Sequence, residues 1–434
     1  MDSSSLDSLR SIRDIRDALL LGRVSPAALV EHVLARIERE DPVLRAWAHV
    51  DAEQALATAR SIDIASGPLA GVPFGVKDVI DVRGMPTRYG VASYDSRAAP
   101  FDAWCVSAVR AAGAIPIGKL ATTPFAYRDP PAPTRNPWDL ARTPGGSSAG
   151  SAASVGARQI PFAFGTQTGG STLRPAAYNG VVGLIATIGK IATTGVMPLA
   201  PTFDRVGILC SSAEDATTLL GIYDPSVADV SPACPLRIGY ARTLQHPVID
   251  PDVEATIDRA LQRPGVGRVF EIGLPETIAG ADAHWEVLMA FETAGLLRAT
   301  AANDGASPLL VEALARGASI SHETYLNAQR FRARAQADFA KLFERCDVVA
   351  YATAGRPTER STTGFEQVTL CWPATALGLP ALSLPVGLTP DGLPVGMQLI
   401  VPWGKEGSLL AAARWLHGKI GFENPGPKAL AEAI

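Results

Sequence analysis

The segment from Pro144 to Pro175 constrains the fold of this chain more than any other. It holds two Gly-Gly-Ser units, Gly145–Ser147 and Gly169–Ser171, on either side of a segment of small and apolar residues. Paired glycines let the backbone approach a ligand closely or adopt positive φ values that other residues resist. A single Gly-Gly-Ser is usually a surface turn, but two units around a segment of buried character favour a functional site.

Serines in such a site need a base, because a serine hydroxyl is a weak nucleophile until its proton is removed. No histidine lies between His49 and His246, so the usual base is missing nearby. Upstream, Lys77 follows the apolar run that begins at Gly71. A lysine there either reaches water from a strand end or is buried and neutral, since burial lowers a lysine pKa. The residues alone leave both interpretations open.

Several motifs occur in the same order as in the amidase signature family, which this chain therefore resembles: GPLAGVPFGVKDVID (Gly67–Asp81), GGSSAGS (Gly145–Ser151), GTQTGGSTLRPAAYNGVVGL (Gly165–Leu184) and GLPALSLPVG…DGLPVGMQLI (Gly378–Ile400). The resemblance covers nearly the whole chain and is densest from Gly67 to Gly207. Within the family, GTQTGGSxxRPAAY and the FAxRDP stretch, Phe125–Pro130, look most like malonamidase-like amidases.

The family resemblance implies an α/β amidase signature fold, in which helices cover both faces of a central, mixed and twisted β-sheet. It implies a single amidase signature domain over residues 1–434. We expect this domain to comprise four parts: N-terminal helices (1–60), a signature catalytic core (67–210), a variable and mostly helical lid and substrate region (214–345) and the C-terminal part of the core (346–420).

The resemblance also implies a Ser-Ser-Lys triad. Ser171 would be the nucleophile, Ser147 the bridging serine and Lys77 the base. The peptide bond between Gly146 and Ser147 would be cis, as it is before the bridging serine of the family.

Two further roles follow from the same resemblance. The oxyanion hole would be formed by four backbone N–H groups, those of Thr168, Gly169, Gly170 and Ser171. In malonamidase-like relatives, the arginine that matches Arg174 holds a carboxylate of the substrate. The alternative is that Arg174 pairs with internal acceptors and braces the loop, and both interpretations stay open.

Three positions depart from the common family pattern. Gln167 replaces the Asp of GTDTGGS, Arg174 stands one place later than in GGSIRxP, and Pro124 occupies a position that is often acidic. None of these changes removes a triad residue. They favour the malonamidase-like branch over the family's average substrate.

The function implied is hydrolysis of the C–N bonds of small amides through an acyl-enzyme on Ser171. Carbamate (urethane) or ester hydrolysis would use the same triad. A glutaminyl-tRNA amidotransferase A-type subunit is a less favoured alternative, because the GTQTGGS form and the weakly similar middle region argue against it. A non-catalytic scaffold is disfavoured because all three triad positions are filled.

Two short motifs offer rival sites. Gly146–Gly150 matches GxSxG, which would make Ser148 the nucleophile of an α/β-hydrolase, but the elbow must follow a strand directly and here a loop precedes it. Gly113–Lys119 resembles a phosphate-binding loop, yet Pro116 interrupts it and Leu120 stands where Ser or Thr is required. We therefore prefer a strand and turn there.

The amino-acid composition narrows the remaining classes of function. The 434 residues are 47% hydrophobic with a net charge of −4, which gives no reason to expect nucleic-acid binding. Five scattered cysteines without CxxC spacing favour reduced thiols in a cytoplasm over disulfides or a zinc site. We expect no metal, cofactor or membrane span, a small-molecule amide or carbamate as partner, and a homodimer as one candidate assembly.

Hydrophobic periodicity predicts the elements around the motifs. A helical hairpin is expected over Ser8–Glu40, divided at Gly22 and Ser25-Pro26. The other main elements are a helix at Asp51–Ser61, a core strand at Gly71–Ile80, a central helix at Ser148–Ala157, a strand at Pro161–Gly165 and a hairpin over Val386–Ile400.

Overall fold

The computed structural model describes residues 6–94, 97–128, 131–242, 249–279, 281–301, 306–360 and 370–434. Asp129 and Pro130, which end the FAxRDP stretch, lie outside these residues. The described chain is built around one mixed β-sheet of eleven strands, flanked by helices.

The strands are numbered along the chain: β1 Trp47–Val50, β2 Pro73–Lys77, β3 Ile115–Leu120, β4 Phe162–Gln167, β5 Val182–Ile185, β6 Arg205–Cys210, β7 Arg237–Tyr240, β8 Arg268–Glu271, β9 Val348–Ala352, β10 Ala381–Leu388 and β11 Pro394–Ile400. Their spatial order is β1-β3-β2-β4-β6-β5-β10-β11-β9-β7-β8. Strand β2 runs parallel to β3 and β4, and β7 runs parallel to β8 and β9. The other pairs are antiparallel, so the sheet is mixed as expected.

The α-helices are α1 Ile12–Leu20, α2 Pro26–Leu44, α3 Ala52–Ser61, α4 Trp104–Ala111, α5 Ala149–Gly156, α6 Leu173–Asn179, α7 Ala213–Gly221, α8 Pro251–Leu261, α9 Glu276–Ala279, α10 Asp282–Ala301, α11 Pro308–Ser319, α12 His322–Ala340, α13 Trp372–Leu377, α14 Glu406–Ile420 and α15 Lys428–Glu432. Short 3₁₀ turns occur at Pro124–Ala126, Pro225–Val227 and Lys341–Glu344.

The sheet has an apolar core on each face. On β9, Val348 and Ala350 belong to one apolar cluster, whereas Val349 and Tyr351 belong to another. Successive side chains of a strand point to opposite faces, so this alternation separates the two cores. The sheet covered by helices, which the sequence predicted, is confirmed.

The N-terminal hairpin follows from its caps. Ser11 caps α1 and forms a capping box with Asp14, whereas Ser25 caps α2 ahead of Pro26. Such side-chain oxygens satisfy backbone donors that a helix start leaves free, and proline suits the first helical position. The predicted hairpin is confirmed, with α2 continuing past Glu40 to Leu44.

The first core strand is shorter than Gly71–Ile80. Strand β2 ends at Lys77, because the N–H groups of Val79 and Ile80 both turn back to the carbonyl of Lys77. Val79 and Ile80 are buried beneath this turn, so their β-branched character reflects burial rather than strand geometry. The sequence analysis also missed β1, a four-residue strand that pairs with β3.

The variable region contributes to the sheet as well as to its cover. Strands β7 and β8 lie inside residues 214–345 and extend the sheet beyond β9. The long helix α10 packs against both α11 and α12 in the same region. This region is therefore continuous with the core sheet through β7.

Candidate active site

Lys77 is the last residue of β2, and its side chain lies inside the protein. It is completely buried, and its Nζ donates to the hydroxyls of Ser147 and Thr166, each at 2.7 Å. Strand β2 lies beside β4, which carries Thr166 as its next-to-last residue. Burial holds the Lys77 pKa well below its ordinary value, while the field of Asp204 opposes this shift. A buried amine bonded to two hydroxyls is suited to be neutral and to accept a proton.

Ser147 and Ser148 point to different partners although they are adjacent. The Ser147 hydroxyl accepts from Lys77, as described, and the Gly146–Ser147 peptide is cis. The Ser148 hydroxyl instead donates to the carbonyl of Thr166 and accepts from its N–H, both at 3.2 Å. Ser148 is fully buried and follows a loop, so the GxSxG alternative lacks both the exposed hydroxyl and the preceding strand.

Ser171 ends the turn that joins β4 to α6. Its side chain is nearly buried, with 8% of the residue exposed, and its carbonyl accepts the N–H of Ser148. Among the described residues, no group forms a hydrogen bond with the Ser171 hydroxyl. The structure thus brings Ser147 and Lys77 into direct contact and links Ser171 to the bridging segment through its backbone.

The turn before Ser171 presents backbone donors. The N–H groups of Thr168, Gly169, Gly170 and Ser171 form no hydrogen bond with any other residue in the described part of the chain. Gly170 packs closely against the N-cap of α13, since a Cβ at Gly170 would lie 3.1 Å from the Cβ of Cys371, closer than an ordinary van der Waals contact. The oxyanion hole that the sequence predicted needs donors without internal partners, and that role stays a prediction.

Two side chains that the sequence analysis did not assign hold this turn in place. The Gln167 amide oxygen accepts from the N–H groups of Thr172 and Leu173 at the start of α6. Its nitrogen donates to Thr375 on α13, whose hydroxyl donates to the carbonyl of Gly169. A glutamine can accept and donate at once, which an ionised aspartate cannot. This contact explains how Gln167 serves where the family commonly has Asp.

Arg174 lies inside α6, which starts at Leu173 rather than at Pro175. Arg174 is only 1% exposed, and one of its guanidinium nitrogens donates to the carbonyl of Gly146 at 2.5 Å. Burial lowers the Arg174 pKa. The side chain is therefore bonded to the backbone just before the bridging serine, a contact that the bracing interpretation requires.

Asp204 is a partly buried group that the sequence analysis left without a role. Its carboxylate accepts from the hydroxyl of Thr168 at 2.6 Å and from the N–H groups of Leu199 and Ala200 at 2.7 and 2.9 Å. Burial raises the Asp204 pKa, and these three donors oppose the rise. In the sequence, the only indication of a role for Asp204 was its position directly before strand β6.

A cavity of about 320 Å³ opens beside these groups. Thr166, Thr168 and Asp204 form one side, and the apolar segment Val196–Leu199 forms much of the rest. Arg205 also lines it, but its guanidinium donates to the carbonyls of Ala186, Ala374 and Leu379. The cavity is thus small, its lining is divided between apolar residues and polar ones, four of them threonines, and its charged side chains already have internal partners.

The residues of the rejected phosphate-binding motif have a structural role. Lys119 lies in β3, is fully buried and pairs with Asp78 at 3.1 Å while donating to Thr87 at 2.8 Å. Within the described ranges, no group of three or more His, Cys, Asp or Glu side chains could hold a metal ion, and no helix is long and apolar enough to cross a membrane.

The family described as Amidase matches residues 28–410. A glutamyl-tRNA(Gln) amidotransferase A-type subunit from Thioalkalivibrio sulfidiphilus (strain HL-EbGR7) is 33% identical over 464 aligned positions, covering 93% of this chain and 96% of its own length.

Solved structures show the same architecture. A crystal structure of an amidase superposes with a TM-score of 0.86 at 28% identity, covering 94% of this chain and 99% of the other. A 6-aminohexanoate cyclic dimer hydrolase superposes with a TM-score of 0.89 over 99% of this chain and 100% of its own, at 22% identity, which establishes likeness of fold.

Proposed function

The chain belongs to the amidase family, and we propose that it is a serine hydrolase that cleaves the C–N bonds of small amides through an acyl-enzyme on Ser171. The observation that carries this proposal is the 2.7 Å hydrogen bond between Lys77 and Ser147, made by a lysine with no access to water. Burial favours the neutral amine, which is the form that can act as a base.

The reaction proceeds as a proton relay. Neutral Lys77 takes the proton of Ser147, Ser147 takes the proton of Ser171, and the Ser171 oxygen attacks the acyl carbon. The negative charge that develops on the carbonyl oxygen is stabilised by the N–H groups of the turn from Thr168 to Ser171. The relay returns the proton to the leaving nitrogen, and the amine departs. Water then attacks the acyl-enzyme, with its proton passing along the same groups, and the acid product is released.

The cavity suggests which amides fit. At about 320 Å³ it is at the small end of ligand pockets, and its wall from Val196 to Leu199 is apolar. Its carboxylate, Asp204, already accepts three hydrogen bonds, and Arg205 is engaged by backbone carbonyls. A small, neutral acyl or amine portion is therefore the better occupant, whether the scissile bond is that of an amide, a carbamate or an ester.

A second candidate has a specific observation in its favour. Curated relatives that are 30–33% identical over at least 90% of this chain are described as the A-type component of glutamyl-tRNA(Gln) amidotransferase. Such a component would release ammonia from an amide with the same triad and pass it to an acceptor held by partner proteins. We rank this second, because an independent hydrolase needs only groups that this chain supplies.

A substrate screen separates the candidates. The purified chain alone should hydrolyse small neutral amides faster than amides that carry a free carboxylate, and carbamates and p-nitrophenyl esters in the same screen compare the other substrate classes. The Ser171→Ala variant is the control and should be inactive on all of them. Glutamine hydrolysis that appears only when the other components of an amidotransferase are added would support the second candidate and contradict the first.

A further inference from the structure

The position of Asp204 follows from the register of two strands. Strands β4 and β6 are antiparallel, and Gln167 pairs with Arg205 at the end of their ladder. One step further along the same register places Thr168 opposite Asp204, which is where the 2.6 Å hydrogen bond between their side chains forms. The carboxylate thus lies beside the turn that presents the oxyanion donors.

The same carboxylate is connected to Lys77 through β4. Thr166 bonds Lys77 and Thr168 bonds Asp204, and alternate residues of an extended segment project to the same side. Thr166, Thr168 and Asp204 all line the cavity described above. The second oxygen of Asp204 accepts from the N–H groups of Leu199, which lines the cavity, and Ala200.

Other ionisable groups lie near Lys77 in the chain. Asp78, its neighbour, is bonded to Lys119 of β3. Asp81 lies four residues after Lys77, and the N–H of Tyr89 donates to the carbonyl of Asp78, whereas neither β4 nor α5 carries an ionisable side chain. Arg205 donates to backbone carbonyls, while Glu292 on α10 bonds the N–H of Thr202 and acts on Asp204.

On this geometry we propose that Asp204 is a positioning residue for the reaction, which provides the counter-charge to Lys77 and braces the oxyanion turn through Thr168. The proposal rests on the proposed function, since both roles presuppose the triad. The field of Asp204 raises the Lys77 pKa against the effect of burial. Asp204 thereby moves the pH at which the base becomes neutral upward, against the larger effect of burial, and it links that base to the cavity wall.

The test uses the rate at which a fluorophosphonate probe labels Ser171, measured by mass spectrometry as a function of pH. In Asp204→Asn, the loss of negative charge should lower the Lys77 pKa, so the midpoint of the labelling profile should fall by on the order of one pH unit. Equal midpoints in Asp204→Asn and the native protein would overturn the proposal. If the native protein is not labelled at Ser171, the proposed function fails instead.

Glu292→Gln is the matched control, because it removes a carboxylate that bonds the segment leading to Asp204. Glu292 raises the Asp204 pKa, so its removal keeps Asp204 ionised, and the midpoint should not fall. A fall like that of Asp204→Asn would contradict a specific role for Asp204.

The bracing role has its own test, which also serves if Asp204→Asn does not fold. Thr168→Val removes the hydroxyl that bonds Asp204, and the maximal labelling rate should drop roughly tenfold, less than the loss of an oxyanion donor itself. Thr168→Ser keeps a hydroxyl and should restore most of the rate. Equal maximal rates in Thr168→Val and Thr168→Ser would overturn the proposal.

Discussion

The hydroxyl of Thr375 donates a hydrogen bond of 2.6 Å to the carbonyl of Gly169, although 206 residues separate them in the chain. The same hydroxyl accepts from Gln167, which in turn holds the start of α6. Helix α13, from the C-terminal part of the chain, therefore holds the turn that carries the proposed oxyanion donors and the proposed nucleophile.

Thr375→Val should lower kcat for amides roughly tenfold with little change in KM, because it loosens donors that act mainly in the transition state. Thr375→Ser keeps the hydroxyl and should stay within about twofold of the native rate. Steady-state kinetics on one small neutral amide decide the matter. A kcat in Thr375→Val equal to that of Thr375→Ser would show that this contact does not support the turn.

The assignment of the nucleophile can be tested by replacing Ser171 and Ser148, whose hydroxyls have different surroundings. Ser171→Ala should abolish hydrolysis while the protein stays folded. Ser148→Ala should keep activity and lose about 1–2 kcal/mol of unfolding free energy, since it removes two hydrogen bonds to Thr166. Mass spectrometry should find the acyl or phosphonate adduct on Ser171, and an adduct on Ser148 would contradict the triad.

The base should give a characteristic pH dependence. Burial lowers the Lys77 pKa, and only the neutral amine can accept a proton, so kcat/KM should rise as the pH increases through that lowered value. Lys77→Ala should lose on the order of 10²–10⁴ in amide hydrolysis and much less with esters, whose leaving group needs no proton. An amide rate in Lys77→Ala near that of the native enzyme would exclude the role.

Arg174 is expected to brace the bridging segment. Its guanidinium donates to Gly146 within a buried site, so Arg174→Lys should weaken hydrolysis of neutral and carboxylate-bearing amides to a similar extent and lower the melting temperature. A lysine lacks the planar fork of donors that fits this position. A selective rise of KM for carboxylate-bearing amides would instead assign Arg174 to substrate binding.

A stability prediction concerns Asp215, far from the reaction. Burial raises its pKa to about 7, and one oxygen accepts the N–H of Ile12 at the start of α1. The folded protein therefore holds a proton that the unfolded chain releases near pH 4, so this group's contribution to stability is lost as the pH rises toward and through 7.

Asp215→Asn keeps an acceptor for Ile12 but cannot ionise. Its melting temperature relative to the native protein should therefore increase between pH 5 and pH 8. Thermal denaturation at both values measures the effect, with Asp17→Asn on the exposed side of α1 as control. A difference that does not vary with pH would show that Asp215 does not titrate as described.

The sequence by itself determined the parts of this protein that depend on local patterns. The capped N-terminal hairpin, the α5 helix, the β10–β11 hairpin and the amidase family were all predicted from short-range signals and ordered motifs. Buried turns and buried strands share the same apolar, β-branched residues, however. The sequence therefore predicted a strand that continued over Val79 and Ile80, whereas these two residues lie in a turn and are buried in the core.

Only the tertiary structure decided how the site is supported. Lys77 and Ser147 meet across 70 residues of chain, and Thr375 reaches the oxyanion turn from α13. Asp204 lies opposite Thr168 because of the register between β4 and β6, whereas Asp78, next to Lys77 in the chain, pairs with Lys119. Strand register and burial determine which charged side chains interact. Both depend on how distant segments of the chain pack, so the spacing of residues in the sequence does not reveal them.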